Sequence, residues 1–487
     1  MYRWLTECHS THALCQQEPV DFRPRRLLHL DFSKGNSLIQ LVEDPQGRQI
    51  KWAALSYVWG GEQSFKTTLH SLPEMERGFR SEVLPQTLQD AVRVCKAMSL
   101  QYLWVDSLCI VQDDPEELPH ELISMPLIYQ RAWVTISAST AACVSDGFLQ
   151  NRCYSHWGGF RNDRVPISLP YLADDGVGTG KIVFVHASDA CSSKAEPINE
   201  RAWTYQERRL SPRVLDFRSK QVVLWCYTNK RCQGDGSTIS WNVPEDRRYR
   251  PCLANQKLPK WHEIVNAYAT RKSSFPSDKL VALSALADIY RKQSGQTYCA
   301  GLWEESLIHD LLWRNPGNTL LPRPKAYRAP SFSWAAVDAN THGETRVYDL
   351  QRGHSSDPEA EILGVAIEQD HPNTTYGKIL GGSLTLRAPV LWIEWQYNDC
   401  AVTDITTSSG GVLSFIRDAK ENDRLVGDNV RVLAVSLSEA HFNYIWPYTK
   451  CGLMLVEASK GMFRRIGMFE CRSQVQVGAS IQTITIV

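Results

Sequence analysis

The sequence predicts an α/β fold with a parallel sheet in its N-terminal half and a β-rich C-terminal part. Apolar strand patterns alternate with helical patterns between residues 51 and 139, as in βαβ units with parallel strands. Helical patterns return at 261–271 and 277–292, which indicates helical insertions beyond the core. From about residue 379 onward, the chain consists of short alternating apolar runs separated by turns, which is typical of antiparallel strands.

The first βαβ unit is predicted between residues 51 and 112. KWAALSYVWGGEQ, at 51–63, reads as a buried strand that ends in a tight turn. Residues 84–100 form a helical pattern in which Thr87 and Asp90 resemble a capping box. YLWVDSLCIVQ, at 102–112, follows as the second buried strand.

Further elements follow in the same order. HELISMPLIYQRA, at 120–132, predicts a helix that Pro126 kinks or divides, and WVTISAS, at 133–139, predicts a third strand. Residues 201–210 are predicted to be helical and to precede a hairpin formed by RVLDF and QVVLWC. RAPSFSWAAVD, at 328–338, is predicted to be a strand.

Length and composition limit the number of domains and the kinds of partner. With 487 residues, the chain exceeds what one hydrophobic core normally serves, so two or three domains are expected. Its 53 basic and 53 acidic residues balance, which argues against nucleic acid as a partner. The start of the sequence lacks a signal-peptide pattern, and no apolar run approaches the roughly 20 residues of a membrane helix. We therefore expect a cytoplasmic protein with reduced cysteines and no membrane span.

Three soft metal ligands stand close together near the start of the chain. Cys8, His12 and Cys15 are spaced at i, i+4 and i+7, so a helix would place them on one face. Such residues bind zinc, but they also pack against cores, and no fourth ligand stands at a recognised spacing. No metal is therefore assigned from the sequence.

Taken together and in this order, several strings resemble the HET (heterokaryon incompatibility) domain of filamentous fungi. The strings are ALSYVWG (54–60), LPQTLQDAV (84–92), LQYLWVDSLCIVQDD (100–114), the spaced residues Glu121, Met125, Ile128, Tyr129 and Ala132, GFL (147–149) and RAWTYQERRLSPRVL (201–215). HET domains are distantly similar to TIR domains, so the resemblance implies a flavodoxin-like α/β core. The expected parts are an N-terminal segment (1–45), the HET domain (46–226), a helical continuation (227–340) and a β-rich domain (341–487).

The resemblance also implies a function in nonself recognition and regulated cell death. Some TIR domains cleave NAD at the nicotinamide glycosidic bond, so NAD is expected as a substrate, and no bound cofactor is assigned. Self-association or another incompatibility protein would supply the partner. The sequence contains no G-x-x-x-x-G-K-[ST] string and no repeats, so a standalone member is expected. Two alternatives stay open: a non-enzymatic interaction module, and a biosynthetic enzyme for a small aromatic or polyketide-like molecule.

Ligands of open parallel sheets bind beyond the carboxyl ends of the strands, and candidate binding residues stand at two such ends. Trp59, Gly60 and Gly61 follow the first strand, where glycines let a phosphate or sugar approach the backbone. The segment from Asp106 to Asp114 forms the second such end, and Asp106 is its first acid. It could bind ribose hydroxyls or a developing cation, or it could accept the backbone N–H groups of the following turn.

Two glutamates are the other catalytic candidates. Cleavage of an N-glycosidic bond develops oxocarbenium charge, which a nearby carboxylate stabilises. Glu121 could face the cleft, or it could act only as a favourable acid near a helix N-terminus. Glu207 could act in the same way, or it could form a structural ion pair with Arg201.

The RAWTYQE string supplies the remaining binding candidates. Arg201 could bind a phosphate if it is not held by an acid. Trp203 could stack on a base or pack in the core, and Gln206 is a further polar candidate.

Overall fold

A computed structural model describes most of the chain. The chain divides into two compact units, Met1–Gln256 and Lys257–Val487. The described residues are 1–16, 22–33, 38–45, 50–150, 167–172, 179–184, 196–219, 221–232, 238–240, 260–314, 320–338, 356–370, 376–407, 410–423, 425–440, 449–472 and 480–487. Each unit has its own sheet and hydrophobic core. The division into four parts stays a prediction.

Helices and strands alternate in the first unit. Its helices are α1 (Tyr2–Thr11), α2 (Leu72–Arg77), α3 (Gln86–Ala97), α4 (Asp106–Cys109), α5 (Glu117–Arg131) and α6 (Ala202–Leu210). Its strands are β1 (Arg26–Asp31), β2 (Leu38–Glu43), β3 (Trp52–Ser56), β4 (Phe79–Arg80), β5 (Tyr102–Trp104), β6 (Val134–Ser137), β7 (Ile167–Leu172), β8 (Thr179–Phe184), β9 (Arg213–Phe217), β10 (Val222–Cys226), β11 (Asn229–Cys232) and β12 (Thr238–Ser240). Single 3₁₀ turns lie at Ala13–Cys15, Ser81–Val83 and Pro197–Glu200.

The main sheet of this unit is mixed, with a parallel centre. Its strand order is β12-β11-β10-β9-β6-β3-β5-β1-β2-β4, and β7 pairs with β8 separately. β3 runs parallel to β5 and β6, and β6 runs parallel to β9. The carboxyl ends of β5, β3, β6 and β9 therefore lie at one edge. The structure confirms a mixed α/β unit with parallel strands.

The central strands are short and apolar because helices and loops cover both of their faces. Every residue of β3 and β6 is buried. On α3, the side chains of Leu88, Ala91, Val92 and Cys95 are buried at helical spacing. The predicted strand, helix and strand of this unit are therefore confirmed, together with the hairpin of β9 and β10.

Two local expectations in this unit are wrong, and a third is wrong in part. The capping box is absent, because Pro85 precedes the first turn of α3 and no side chain caps it. α5 runs through Pro126 without a break, so Pro126 does not divide the helix, and a kink at Pro126 stays a prediction. β5 ends at Trp104, and Asp106 begins the short helix α4.

The second unit starts with helices and continues as a large, mainly antiparallel sheet in which, among the described strands, only the last two pair in parallel. Its helices are α7 (Trp261–Tyr268), α8 (Asp278–Val281), α9 (Ser284–Ser294) and α10 (Leu307–Asp310), with 3₁₀ turns at Glu304–Ser306 and Trp334–Ala336. Its strands are β13 (Tyr298–Cys299), β14 (Leu302–Trp303), β15 (Ser356–Pro358), β16 (Glu361–Gln369), β17 (Ile379–Gln396), β18 (Val402–Thr406), β19 (Val412–Arg417), β20 (Asn429–Ala440), β21 (Thr449–Ser459), β22 (Met462–Arg472) and β23 (Ser480–Ile486).

The order β15-β20-β17-β23-β22-β19-β18, with β16 on β17 and β21 between β20 and β22, confirms the β-rich C-terminal part. The prediction of a strand at 328–338 is wrong. A 3₁₀ turn forms there instead, because the Ser333 hydroxyl accepts the N–H of Ala335 and caps it. Among the described residues of both units, no helix is long and apolar enough to cross a membrane.

Candidate functional site

Polar side chains gather where the parallel strands of the first unit end. Tyr57 and Trp59 follow β3, Asp106 follows β5, and Arg201 and Glu207 stand at the start and on the second turn of α6. We call these five residues the carboxyl-edge cluster. It contains two carboxylates, one guanidinium and two aromatic rings. Its members are up to about 150 residues apart in the chain.

Asp106 is half-buried and holds the corner between β5 and α4. Its Oδ2 accepts the indole N–H of Trp59 at 2.9 Å, and its Oδ1 accepts the backbone N–H of Ser107 at 2.7 Å. Burial raises the pKa of Asp106, while the nearby charge of Arg201 and these hydrogen bonds oppose the rise. The carboxylate therefore acts as a turn acceptor and also faces a cation.

Glu207 is the most deeply buried acid of the cluster, with 6% of its surface exposed. Burial raises the pKa of Glu207 to about 7, and the charge of Asp106 adds to the rise. Hydrogen bonds from Ser56 and Tyr129 and the charge of Arg201 lower it. Within the part of the chain that the structure describes, its Oε2 accepts no hydrogen bond. Glu207 can therefore gain or lose a proton near neutral pH.

Arg201 lies beside both acids. Its Nη1 donates a hydrogen bond to the carbonyl oxygen of Tyr57 at 2.9 Å. Its charge lowers the pKa of both Asp106 and Glu207, which places it within electrostatic reach of the two carboxylates. The structure thus brings Arg201 and Glu207 together, with the guanidinium oriented by the end of β3.

The two glycines after Trp59 differ in their surroundings. Gly60 has φ +76°, and a methyl group there would lie 2.1 Å from the Cβ of Cys143. Gly60 is therefore needed for this close contact. Gly61 has φ +138° and open space on its side-chain face, so only the second glycine leaves room for a ligand.

Glu121 belongs to a different group of charges. It lies on α5 with 6% of its surface exposed, the same fraction as Glu207. Burial and the charge of Glu117 raise the pKa of Glu121, while Arg26 and Arg25 lower it. Arg26 pairs with Glu117 through both terminal nitrogens of its guanidinium group, Nη1 and Nη2. Glu121 thus stands beside an ion pair at the start of β1.

The other two candidates on α6 are partly or fully buried in this structure. Trp203 is half-buried and packs against the core of the first unit. Gln206 is buried. Their predicted binding roles stay predictions.

A second polar network at the same edge was not predicted from the sequence. Asp216, at the end of β9, is fully buried and accepts hydrogen bonds from Ser139 and from the indole N–H of Trp225 at 3.0 Å. Arg208 pairs with Asp216 at 3.0 Å and donates to Ser137. The one available signal was a single acid inside the apolar strand RVLDF. Because its partners satisfy Asp216, this network is structural.

A group of potential metal ligands lies elsewhere in the first unit. The structure brings Cys8, His12 and Cys15 together and adds Cys226, the last residue of β10. The ligand atoms of the four residues lie within 4.8 Å of one another. The fourth ligand could not be found by spacing, since strand order alone places Cys226 beside the N-terminal helix.

Fold and site together define an α/β domain with acids and an arginine at the carboxyl edge of a parallel sheet. Residues 52–207 match the family model described as heterokaryon incompatibility protein (HET), so the chain carries a HET domain and the resemblance is confirmed. The matched region begins with β3 and ends at Glu207, so it contains the whole carboxyl-edge cluster. None of the curated proteins or solved structures compared with the chain matches it. The family suggests a function related to heterokaryon incompatibility.

Proposed function

We propose that this protein acts in nonself recognition and regulated cell death by cleaving the nicotinamide glycosidic bond of NAD at the carboxyl-edge cluster. The observation that carries the proposal is Glu207, a buried acid with a pKa of about 7 and one oxygen that accepts no hydrogen bond among the described residues. Groups of this kind are common at catalytic sites, where they transfer protons near neutral pH. The proposed setting is the cytoplasm, with a second copy or another incompatibility protein as partner.

The strand order supports this location for a nucleotide. The parallel strands are arranged β5-β3-β6-β9, and numbered along the chain they read 2-1-3-4. We propose that this is the flavodoxin-like core implied by the likeness to TIR domains. Flavodoxin-like sheets bind ligands at the switch point between the first and third strands, here β3 and β6. Ser56, the last residue of β3, lies close enough to Glu207 to lower the pKa of its carboxyl.

The chemistry assigns one role to each side chain. The bond between ribose C1′ and the nicotinamide nitrogen breaks, and its electron pair neutralises the nicotinamide ring. The carboxylate of Glu207 stabilises the oxocarbenium ion and then takes a proton from the water that adds to C1′. The products are nicotinamide, ADP-ribose and one proton. Asp106 holds the ribose hydroxyls, and Arg201 binds the phosphate charge.

Incubation of the full chain with NAD tests the proposal, with nicotinamide release measured by liquid chromatography. Glu207→Gln should lower the rate at least about 100-fold, because the variant can neither carry the negative charge nor accept the proton. Glu121→Gln is the matched control, since it makes the same change at an equally buried acid in another charge group. It should keep most of the activity. Absence of release by the concentrated wild-type protein, or equal release by the two variants, would refute the proposal.

One observation favours the non-enzymatic alternative. Both carboxylate oxygens of Asp106 already accept hydrogen bonds, from the indole of Trp59 and the backbone N–H of Ser107, which is what a purely structural acid would do. In that case Asp106→Asn should leave cell killing intact whenever the protein folds, because an amide oxygen still accepts one of these bonds. On the NAD proposal the same variant loses killing together with nicotinamide release. Expression in fungal cells, scored for viability and soluble protein, separates the two.

A further inference from the structure

We propose that Cys8, His12, Cys15 and Cys226 bind one Zn²⁺ ion that fixes the N-terminal helix to the main sheet. Cys8 lies on α1, Cys15 ends the 3₁₀ turn that follows, and Cys226 ends β10. The three cysteines are buried, and His12 is half-buried. We call these four residues the Cys₃His cluster.

The distances suit a tetrahedral ion. The Nδ1 atom of His12 lies 3.4 Å from the Sγ of Cys226 and 4.0 Å from the Sγ of Cys15. All the ligand atoms lie within 4.8 Å of one another. With Zn–S near 2.3 Å and Zn–N near 2.0 Å, tetrahedral ligands stand about 3.5–3.8 Å apart. Small side-chain movements would therefore bring the four ligands to zinc distance.

The ligand set indicates the metal and the type of site. Three thiols and one imidazole are soft or borderline ligands in the combination typical of structural zinc. A catalytic zinc keeps one position open for water, whereas here the protein would fill all four. The Cys₃His cluster is therefore a structural site, distinct from the carboxyl-edge cluster.

Neighbouring groups would orient the ligands. The two end atoms of the Asn229 amide lie 3.2 Å from His12 Nε2 and 3.4 Å from Cys226 Sγ. In the structure the amide nitrogen faces His12 and the amide oxygen faces Cys226. If His12 binds through Nδ1, a 180° turn of the amide lets its oxygen accept the His12 Nε2–H and its NH₂ donate to the Cys226 thiolate. The backbone N–H of Asn229 also donates to Cys226 Sγ at 3.3 Å. The hydroxyl of Thr228 lies 3.6 Å from Cys15 Sγ.

Charge and attachment agree with this assignment. Three thiolates and one Zn²⁺ carry a net charge of −1, and arginines stand on both sides. Arg213 donates to the Cys15 carbonyl at 2.9 Å, and Arg231 pairs with Glu7 of α1 at 2.8 and 2.9 Å. The ion would add a link from α1 and the following 3₁₀ turn to β10, beside these contacts with β9 and β11. All four ligands lie outside the matched region 52–207, so the attachment extends the folded unit beyond it.

Zinc content of the purified full chain, measured by mass spectrometry of the metal, is the first test. The wild type should carry one zinc ion per chain, whereas Cys8→Ser and Cys226→Ser should retain less than about a tenth of it, because loss of one thiolate opens the site. Cys400→Ser is the control, since Cys400 is exposed and outside the Cys₃His cluster. It should keep full zinc. This readout does not depend on NAD cleavage, so the two proposals can fail separately.

Cobalt substitution keeps the test valid if the serine variants fail to fold. Wild-type protein loaded with Co²⁺ should show the intense visible bands of tetrahedral cobalt and a thiolate charge-transfer band. His12→Cys should still bind the metal, with its visible bands moved to lower energy by the fourth thiolate. A wild-type chain without zinc and without the tetrahedral cobalt spectrum overturns the proposal. So does a disulfide between two of the three cysteines in protein purified under reducing conditions.

Discussion

At the residue scale, the candidate acids differ in the groups that surround them. The exposed fractions of Glu121 and Glu207 are equal, and yet Glu121 stands beside the Arg26–Glu117 ion pair, whereas Glu207 stands beside Asp106 and Arg201. The sequence identifies the candidate acids, because an acid within an apolar pattern is costly to bury unless it has a partner or a function. It also indicates Arg201 as a partner for Glu207, but it does not indicate that Arg26 of β1 lies beside Glu121. The choice between the two glutamates therefore depends on strand order.

The raised pKa of Glu207 predicts a dependence of stability on pH. The unfolded chain should ionise this acid near 4.5 and the folded chain near 7. Between these pH values the folded state binds the proton more tightly than the unfolded state does. The stabilisation of the folded state by this proton is therefore complete below about pH 4.5 and is lost as the pH rises through about 7. Relative to Glu207→Gln, which stays neutral, the wild type should lose about 2–3 kcal/mol between pH 5 and pH 8, at about 1.4 kcal/mol per pKa unit.

Urea unfolding of both proteins at these two pH values measures the effect. Because Glu207→Asp keeps an ionisable acid near this position, it should retain a pH dependence that the glutamine variant lacks. A difference in the free energy of unfolding that is the same at pH 5 and pH 8 would contradict the raised pKa.

At the element scale, local patterns predicted the parallel core well. Strand and helix periodicity identified β3, α3 and β6, because each buries one continuous apolar face or run. Features set by contacts with distant segments were missed. Asp90 is the clearest case, since its spacing from Thr87 suggested a cap, whereas its carboxylate binds a loop more than 50 residues away.

Asp90 predicts how strongly α3 holds that loop. Its Oδ2 accepts the backbone N–H groups of Phe148 and Leu149 at 2.8 and 3.0 Å, and the side chain is buried. Asp90→Ala should cost about 2–4 kcal/mol of unfolding free energy, because two N–H groups lose their acceptor. Asp90→Asn keeps one acceptor and should cost clearly less. Chemical denaturation of the two variants measures the difference, and equal costs would show that the carboxylate does not hold the loop.

At the scale of the whole molecule, the predicted balance of α/β and β-rich parts is confirmed, but the connections between segments were not predictable. β1 and β2 come from the first 45 residues and join the main sheet beside β5. Cys226 lies close to Cys8 because β10 pairs with β9 in that sheet. Pairing across a sheet depends on the order in which strands assemble, and the sequence pattern of a single strand does not carry that information.

Each of the two units has its own hydrophobic core. We therefore expect a mutation in one unit to change the unfolding of that unit alone. In the second unit, Arg465 and Asp418 form an ion pair with 0% and 1% of their side chains exposed. The guanidinium also donates to the carbonyls of Leu311 and Trp313. Asp418→Asn leaves this buried cation without its carboxylate and should cost the second unit about 3–5 kcal/mol.

Calorimetry of the full chain should therefore show the transition of Lys257–Val487 moving to lower temperature in Asp418→Asn. The transition of Met1–Gln256 should stay in place. Asp90→Ala provides the reciprocal case, because it should move only the transition of the first unit. The isolated fragment Lys257–Val487 identifies which transition is which. If either variant moves both transitions together, the units unfold as one cooperative body, and the separate cores do not make them thermodynamically independent.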